Sequence, residues 1–375
     1  MKENKWQTIP IAIVILLLIS EIIWYSPQTH PKEAALTIQE VTFDETGNIT
    51  INLTLTTNLP LNATIIITPV TEKPEDLPVY IFYDKNYPTV GTSWTLIQML
   101  WEHVKTELSL RGYSSEVKLT DAENLENILK TKTPAIIIMA SGAFPSNIFS
   151  WETNLVKPWL GSGGILIWFG WIPGYYTVEK GQSQEDIRWD SPQNLHEEGT
   201  KRLGLQDFFE LIEIEDCPTT AELESPLSQI LDTKYNFIQQ APLLQKVINA
   251  DGLALGKIGG CPENPRSSIS LIPIGKGKMI IFGYFLTASL VLNGPELSAR
   301  DIAQILCSGI LKANSISNIL HRNYTLPKGY SKNDALNLPL DPNTAGLVIY
   351  GYSSQESSSL LFHRKFLQIE NRSEQ

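Results

Sequence analysis

Residues 134–176 read PAIIIMASGAFPSNIFSWETNLVKPWLGSGGILIWFGWIPGYY. Two apolar runs lie in this stretch, at 135–140 and 164–170. Each ends in a loop of small residues, Ser141-Gly142-Ala143 and Gly170-Trp171-Ile172-Pro173-Gly174. Short Val/Ile/Leu runs without polar alternation are typical of strands covered on both faces of a parallel sheet. In open sheets of that kind ligands sit outside the carboxyl ends of the strands. The two loops are therefore where a site is expected.

The flanking chain repeats the same unit. Residues 79–83 form a short apolar run that ends at Asp84. After a loop, Ser93 is placed to cap a helix over 94–111, with Leu96, Met99, Leu100, Val104 and Leu108 at helical spacing and Gly112 ending it. Residues 115–119 read as a second strand. Asp121 caps a helix through Lys132 whose face carries Leu125, Ile128 and Leu129. A helical stretch near 150–160 precedes the 165–169 strand. Strand and helix thus alternate three times, which predicts an α/β domain with a flavodoxin-like (Rossmann-like) parallel sheet. Further on, 253–258, 268–273 and 278–282 are strand-like, with Gly275-Lys276-Gly277 as the turn between the last two, and 298–311 reads as a closing amphipathic helix. Residues 177–200 are rich in Gln, Glu and Asp and read as a surface excursion.

Both ends of the chain look different. Residues 36–43, 49–57 and 63–69 alternate apolar and polar side chains between turns, the pattern of antiparallel strands. Three strands make a thin sheet, and the runs 346–352 and 359–369 offer partners. The expectation is one small antiparallel β-sandwich built from both ends, with the α/β domain inserted in it; two separate β units are the alternative. The predicted division is 1–26, 33–70, 78–312 and 313–375.

At the N-terminus Lys2 and Lys5 precede an apolar run over 9–25, broken only by Pro10, Ser20 and Glu21. Such a run is just long enough to cross a hydrocarbon core. The expectation is an N-terminal transmembrane helix with the basic end inside, so a single-pass cell-membrane protein with residues after about 26 extracytoplasmic. A cleaved signal peptide is the competing reading. Asn48, Asn52, Asn62, Asn323 and Asn371 begin N-x-S/T motifs and are glycosylation candidates on that reading.

Composition excludes some classes. The net charge is −11 and no Lys/Arg-rich run occurs, so the basic footprint of a nucleic-acid binder is missing. Hydrophobic residues make up 42%, enough for a sizeable core, and charged ones 18%, too few for a disordered chain. Three cysteines and five histidines show no metal-ligand spacing, and no cofactor motif occurs. His196-Glu197-Glu198 reads as solvated charge. Cys217 and Cys261, each followed by a proline, are a disulfide candidate that would close a loop of about 44 residues. Cys307 reads as core.

The middle of the chain resembles the class I glutamine amidotransferase-like superfamily, in its non-catalytic and trehalose-utilisation-type branches. The likeness spans about residues 78–312. It is carried by 79–84, 135–142, the run Gly163-Gly-Ile-Leu-Ile-Trp-Phe-Gly170 and the run Gly275-Lys-Gly-Lys-Met-Ile-Ile-Phe-Gly283. Catalytic members of the superfamily carry a cysteine on the turn after the central strand, with His and Glu downstream. Here that turn is Ala140-Ser141-Gly142-Ala143-Phe144-Pro145, and no His-x-Glu pair follows the 275–283 strand. A working triad needs a base within reach of its nucleophile, so the resemblance implies a degenerate, non-enzymatic domain. Asp84, Asn86, Ser141, Gly142 and Tyr284 should converge at the carboxyl edge of the sheet as ligand-binding candidates. Trp171 and Tyr175 join them as rings able to stack on sugars. The expected function is binding of glycan or of a partner protein. The alternatives are an extracellular hydrolase or transferase using Asp84 or Ser141, and a structural envelope component.

Overall fold

In the computed structural model of the chain, the described residues are 34–43, 48–58, 60–71, 77–110, 116–188, 190–209, 241–254, 258–259, 265–283, 303, 306, 320–339, 344–355 and 358–368. In chain order the elements are β1 (Ala34–Phe43), β2 (Asn48–Thr57), β3 (Leu61–Thr71), β4 (Val79–Phe82), α1 (Trp94–Leu110), β5 (Val117–Thr120), α2 (Ala122–Lys130), β6 (Ile136–Met139), β7 (Phe144–Pro145), α3 (Val156–Gly161), β8 (Ile165–Phe169), β9 (Thr177–Val178), α4 (His196–Leu203), α5 (Leu244–Asn249), β10 (Leu253–Ala254), β11 (Ile258–Gly259), β12 (Arg266–Ser267), β13 (Ile269–Ile274), β14 (Gly277–Phe282), β15 (Leu320–Leu326), β16 (Ser331–Pro339), β17 (Thr344–Gln355) and β18 (Ser358–Gln368).

Seven strands form the sheet that matters for the site, in the order β10-β13-β14-β8-β6-β4-β5. The five from β5 to β14 are parallel, and in chain order they run 2-1-3-4-5, the flavodoxin-like arrangement. The sheet is mixed rather than purely parallel, because β13 returns antiparallel to β14. The Gly275-Lys276 turn between them allows this. Gly275 has φ +63°, and a Cβ on Gly277 would lie 2.2 Å from the carbonyl oxygens of both Gly164 and Leu160. Two apolar layers cover the sheet. Ile97, Leu100, Val104 and Leu108 of α1 pack with Leu244 and Ile248 of α5 on one face. Leu125 and Leu129 of α2 pack with Val156, Trp159 and Leu160 of α3 on the other. Strand alternation sends Phe169 into the first layer and Trp168 into the second.

The remaining long strands form two sheets, β1-β2-β16 and β15-β3-β17-β18, with all pairings antiparallel. Strand β2 explains their packing. Its odd-numbered residues Ile49, Ile51, Leu53 and Leu55 are buried, and Asn48, Thr50, Asn52 and Thr54 between them are not. The buried row meets Ala63, Ile65, Ile67, Leu347 and Ile349 of the facing sheet in one core. The outer row is tied laterally, with Thr54 Oγ1 donating to Asn333 Oδ1 and Thr50 Oγ1 to Asn337 Oδ1, each at 2.7 Å. Tyr324 Oη donates to Asp334 Oδ2 at 2.8 Å, linking β15 of one sheet to β16 of the other.

Two expectations are corrected. The fold class included a transmembrane helix, but among the described residues no helix is long and apolar enough to cross a membrane. The longest is α1, with 17 residues, and its exposed Gln98, Glu102 and Lys105 give it a polar face. A span needs about 20 predominantly apolar residues. The apolar run at 9–25 lies outside the described residues. The single-pass cell-membrane localisation rested on that helix and is withdrawn with it.

Candidate functional site

The order of the sheet reverses at β4, between β5 and β6, so the carboxyl ends of β4 and β6 flank the position where such folds hold ligands. Asp84 follows β4. Its Oδ1 accepts from the backbone N–H of Asn86 at 3.0 Å and from Asn86 Nδ2 at 2.8 Å, an Asx turn. Its Oδ2 accepts from the N–H of Ala122, the first residue of α2, at 3.2 Å. Asp121 caps the same helix through Asn124 N at 2.8 Å. Two carboxylates therefore satisfy two of the N–H groups at this helix start and lie at the positive end of its dipole.

Ser141 follows β6. The residue is fully buried, and its hydroxyl donates to Ala143 O at 2.8 Å. Its carbonyl accepts from Val90 N at 2.8 Å. Gly142 has φ +73°, and a Cβ there would lie 2.2 Å from Val90 O. The β4–α1 loop is thus locked onto the β6 turn, and no Cβ fits between them.

A strap roofs the gap. Within the 177–200 stretch expected to be a surface excursion, residues 177–188 cross from the β6 turn to the β4 loop. Strand β9 pairs with β7 at one end. Gly181 N donates to Asn86 O at 2.7 Å. The Gln184 amide brackets Thr89, accepting from its N–H at 3.2 Å and donating to its carbonyl at 2.5 Å. Thr89 and Tyr87 lie buried beneath. Burial, followed by the nearby carboxylates of Asp84 and Glu126, pushes the Tyr87 hydroxyl above its usual range. Hydrogen bonds from Lys130 and Asn147 hold the Glu126 carboxyl below its own.

The aromatic cluster is mostly interior. Trp168 and Phe169 are buried, and Trp168 Nε1 donates to Trp171 O at 2.7 Å. Tyr175 is 2% exposed, and burial pushes its hydroxyl up to about 12. Its ring meets the His196 ring edge-on at 4.8 Å between centroids. Trp171 is half-buried. Asp84, Asn86, Ser141 and Gly142 do come together at one edge, where they contact each other's loops. Tyr284, Cys217, Cys261, Cys307 and Asn371 lie outside the described residues. Asn48 and Asn52 are half-exposed on β2, and Asn62 and Asn323 are exposed on β3 and β15. Among the described residues no group of three His, Cys, Asp or Glu side chains is arranged to hold a metal.

Sequence reasoning missed Gln184, Arg266 and Trp151. Arg266 is 6% exposed and donates through Nη1 to Ala241 O at 2.9 Å. It reaches the same edge because β13 runs backwards, placing Ile269 opposite Phe282 and Ser268 O against Gly283 N. Nothing local to Arg266-Ser267-Ser268 announces that placement. Trp151, a lone indole in a polar turn, carried a readable signal.

No protein family matches the chain, and no curated protein is similar to it. Among solved structures it is similar to the cytoplasmic protein STM1381 from Salmonella typhimurium LT2, at 9% identity and a TM-score of 0.33, over 63% of this chain and 100% of that one. It is also similar to the cytoplasmic protein STM3548 from Salmonella typhimurium, at 10% identity and a TM-score of 0.29, over 61% and 98%. At these scores neither likeness bears on function.

Proposed function

We propose that this chain is a non-enzymatic binding protein that engages a glycan or a partner protein on its outer surface, not in the crevice of its α/β sheet. The observation that carries the reading is the state of Ser141. In the amidotransferase-like comparison it stands where a nucleophile would be, yet it is fully buried and its proton is committed to Ala143 O. A nucleophile needs an adjacent base and an open approach. Asp84, the other candidate, is committed to Asn86 and to the start of α2. The Gln184 strap is hydrogen-bonded to Thr89 of the adjoining β4 loop.

The test is a thermal-shift screen of the full chain against glycans and peptides, run in parallel with hydrolase and transferase assays on the same ligands. A ligand at a hundred times its Kd adds about 2.7 kcal/mol of stability. The expected result is stabilisation without turnover, retained in Asp84→Asn and Ser141→Ala. Turnover abolished by either substitution in a folded variant would sink the reading.

A further inference from the structure

Among the described residues the exposed large hydrophobic side chains are Met99, Leu110, Trp151 and Tyr330. Trp151 stands apart in how it is held. Its indole Nε1 donates to Pro192 O at 3.1 Å. Its carbonyl accepts from Arg202 Nη1 at 2.6 Å, and so does the carbonyl of Ser150. The same guanidinium lies over the ring of the buried Phe149, 5.8 Å from its centroid. Ser150 N donates to Thr153 O at 2.9 Å, and Thr153 N to Ser150 Oγ at 3.2 Å, closing the turn. The indole is therefore fixed at its edge and at its backbone, yet the residue remains 54% exposed.

An exposed ring with its ordering already complete is what a binding anchor requires, because binding then costs little side-chain entropy. We infer that Trp151 is the stacking platform for a pyranose ring of a neutral glycan. This rests on the surface-binding reading above. With the N–H committed to Pro192, the ring offers its π face, whose negative quadrupole suits the polarised C–H groups of a sugar. A stable protein interface needs about 800 Å² per partner and several apolar anchors. Among the described residues the chain beside Trp151 is polar instead. Glu152 follows it, and Pro192 brings the turn of Asp190 and Ser191 alongside; Glu152 and Asp190 are exposed. One apolar face rimmed by acceptors matches one sugar ring and its hydroxyls. The carboxylates and the net charge of −11 disfavour an acidic glycan.

The experiment is a glycan array of neutral and sialylated or sulfated glycans, probed with the full-length wild type, Trp151→Ala, Trp151→Phe and Glu152→Lys, followed by titration with tryptophan fluorescence. The expected result is binding of neutral glycans, weakened at least about tenfold in Trp151→Ala and less in Trp151→Phe, which keeps a ring but loses the hydrogen bond to Pro192. Glu152→Lys sits on the exposed tip and tests the rim if the alanine variant does not fold; it should weaken neutral glycans and spare the fold. Neutral-glycan binding untouched by both substitutions overturns the platform and leaves the surface-binding reading standing. No neutral glycan bound, or only acidic ones, also overturns the inference. Turnover of a bound glycan overturns the non-enzymatic reading itself.

Discussion

Replacing Gly142 with alanine tests whether the β4 loop and the β6 turn are one locked unit. Two costs arise. The backbone at φ +73° is left-handed, which costs an L-residue with a Cβ about 1–2 kcal/mol. The new Cβ would also lie 2.2 Å from Val90 O, and that partner is backbone, so the loop itself has to retreat by roughly 1 Å. That movement breaks the Val90 N to Ser141 O hydrogen bond of 2.8 Å in a buried setting, worth about 1–3 kcal/mol. The expected total is about 2–5 kcal/mol. Gly181→Ala is the control. It has a similar φ of +80° but nothing within 4 Å of a Cβ, so only the backbone cost of about 1–2 kcal/mol applies. Urea unfolding followed by far-UV circular dichroism gives both numbers. In a thermal melt the Gly142 variant should fall by roughly 10 °C, at about 2–4 °C per kcal/mol. Equal losses in the two variants would show that the close approach to Val90 contributes nothing and that the edge is not sealed.

Three further outcomes follow from the same geometry. Tyr324→Phe removes the hydrogen bond to Asp334 between the two β-sheets and should cost about 1.5–2 kcal/mol by chemical denaturation, since the acceptor is charged but keeps Arg322 and Ala335 N nearby. Burial raises the hydroxyls of Tyr87, Tyr175, Tyr176 and Tyr324 above their usual range. Their neutral forms are thus favoured by folding; this stability is full below about pH 10 and is lost as pH rises through the folded values, about 12 for Tyr175. The tyrosinate absorbance of these four, isolated as the difference between wild type and the single Tyr→Phe variants, should therefore appear together with unfolding, and their separate, early ionisation in the folded protein would contradict it. Gln184→Ala should speed amide exchange at Thr89 and Gly181 at least about tenfold while leaving the global midpoint nearly unchanged; unaltered exchange would mean that the strap is held elsewhere.

Much of the architecture was readable because it depends on local pattern. The alternation in β2 and the Ile-rich runs of β6 and β8 each follow from which faces of a strand are buried. Asp121 as a helix cap is equally local. The site was harder. Ser141 and Asp84 are where strand ends predict them, but whether a loop residue opens to solvent depends on what the chain brings to it from afar, as Gln184 is brought to Thr89 across 95 residues. A polar segment reads as solvated even when its amides bind distant backbone. The same blindness applies to Arg266, which reaches the edge only through the antiparallel return of β13. The apolar run at 9–25 was legible as a span by composition alone, and no described helix corresponds to one.

The start of α2 brings these points together. Helix N-termini with free N–H groups are ready-made sites for anions; α2 follows the edge strand β5, and Asp84 of the neighbouring β4 loop reaches its start. In this chain the Asp84 carboxylate accepts from Ala122 N, and the Asp121 carboxylate accepts from Asn124 N. An incoming phosphate would meet two negative charges and few unsatisfied donors, so both parts of the usual attraction are lost. The carboxylate pair does for the helix what a bound anion does elsewhere, and it does so permanently, which turns a ligand-binding feature into a structural one. On the proposed surface-binding reading, recognition falls to groups not used in holding this edge together. Trp151 is such a group, because Pro192 and Arg202 fix its edge and backbone while the residue stays exposed. The capped start of α2 and the displayed indole are thus complementary, and the proposed reading takes both as favouring a neutral ligand held at the surface.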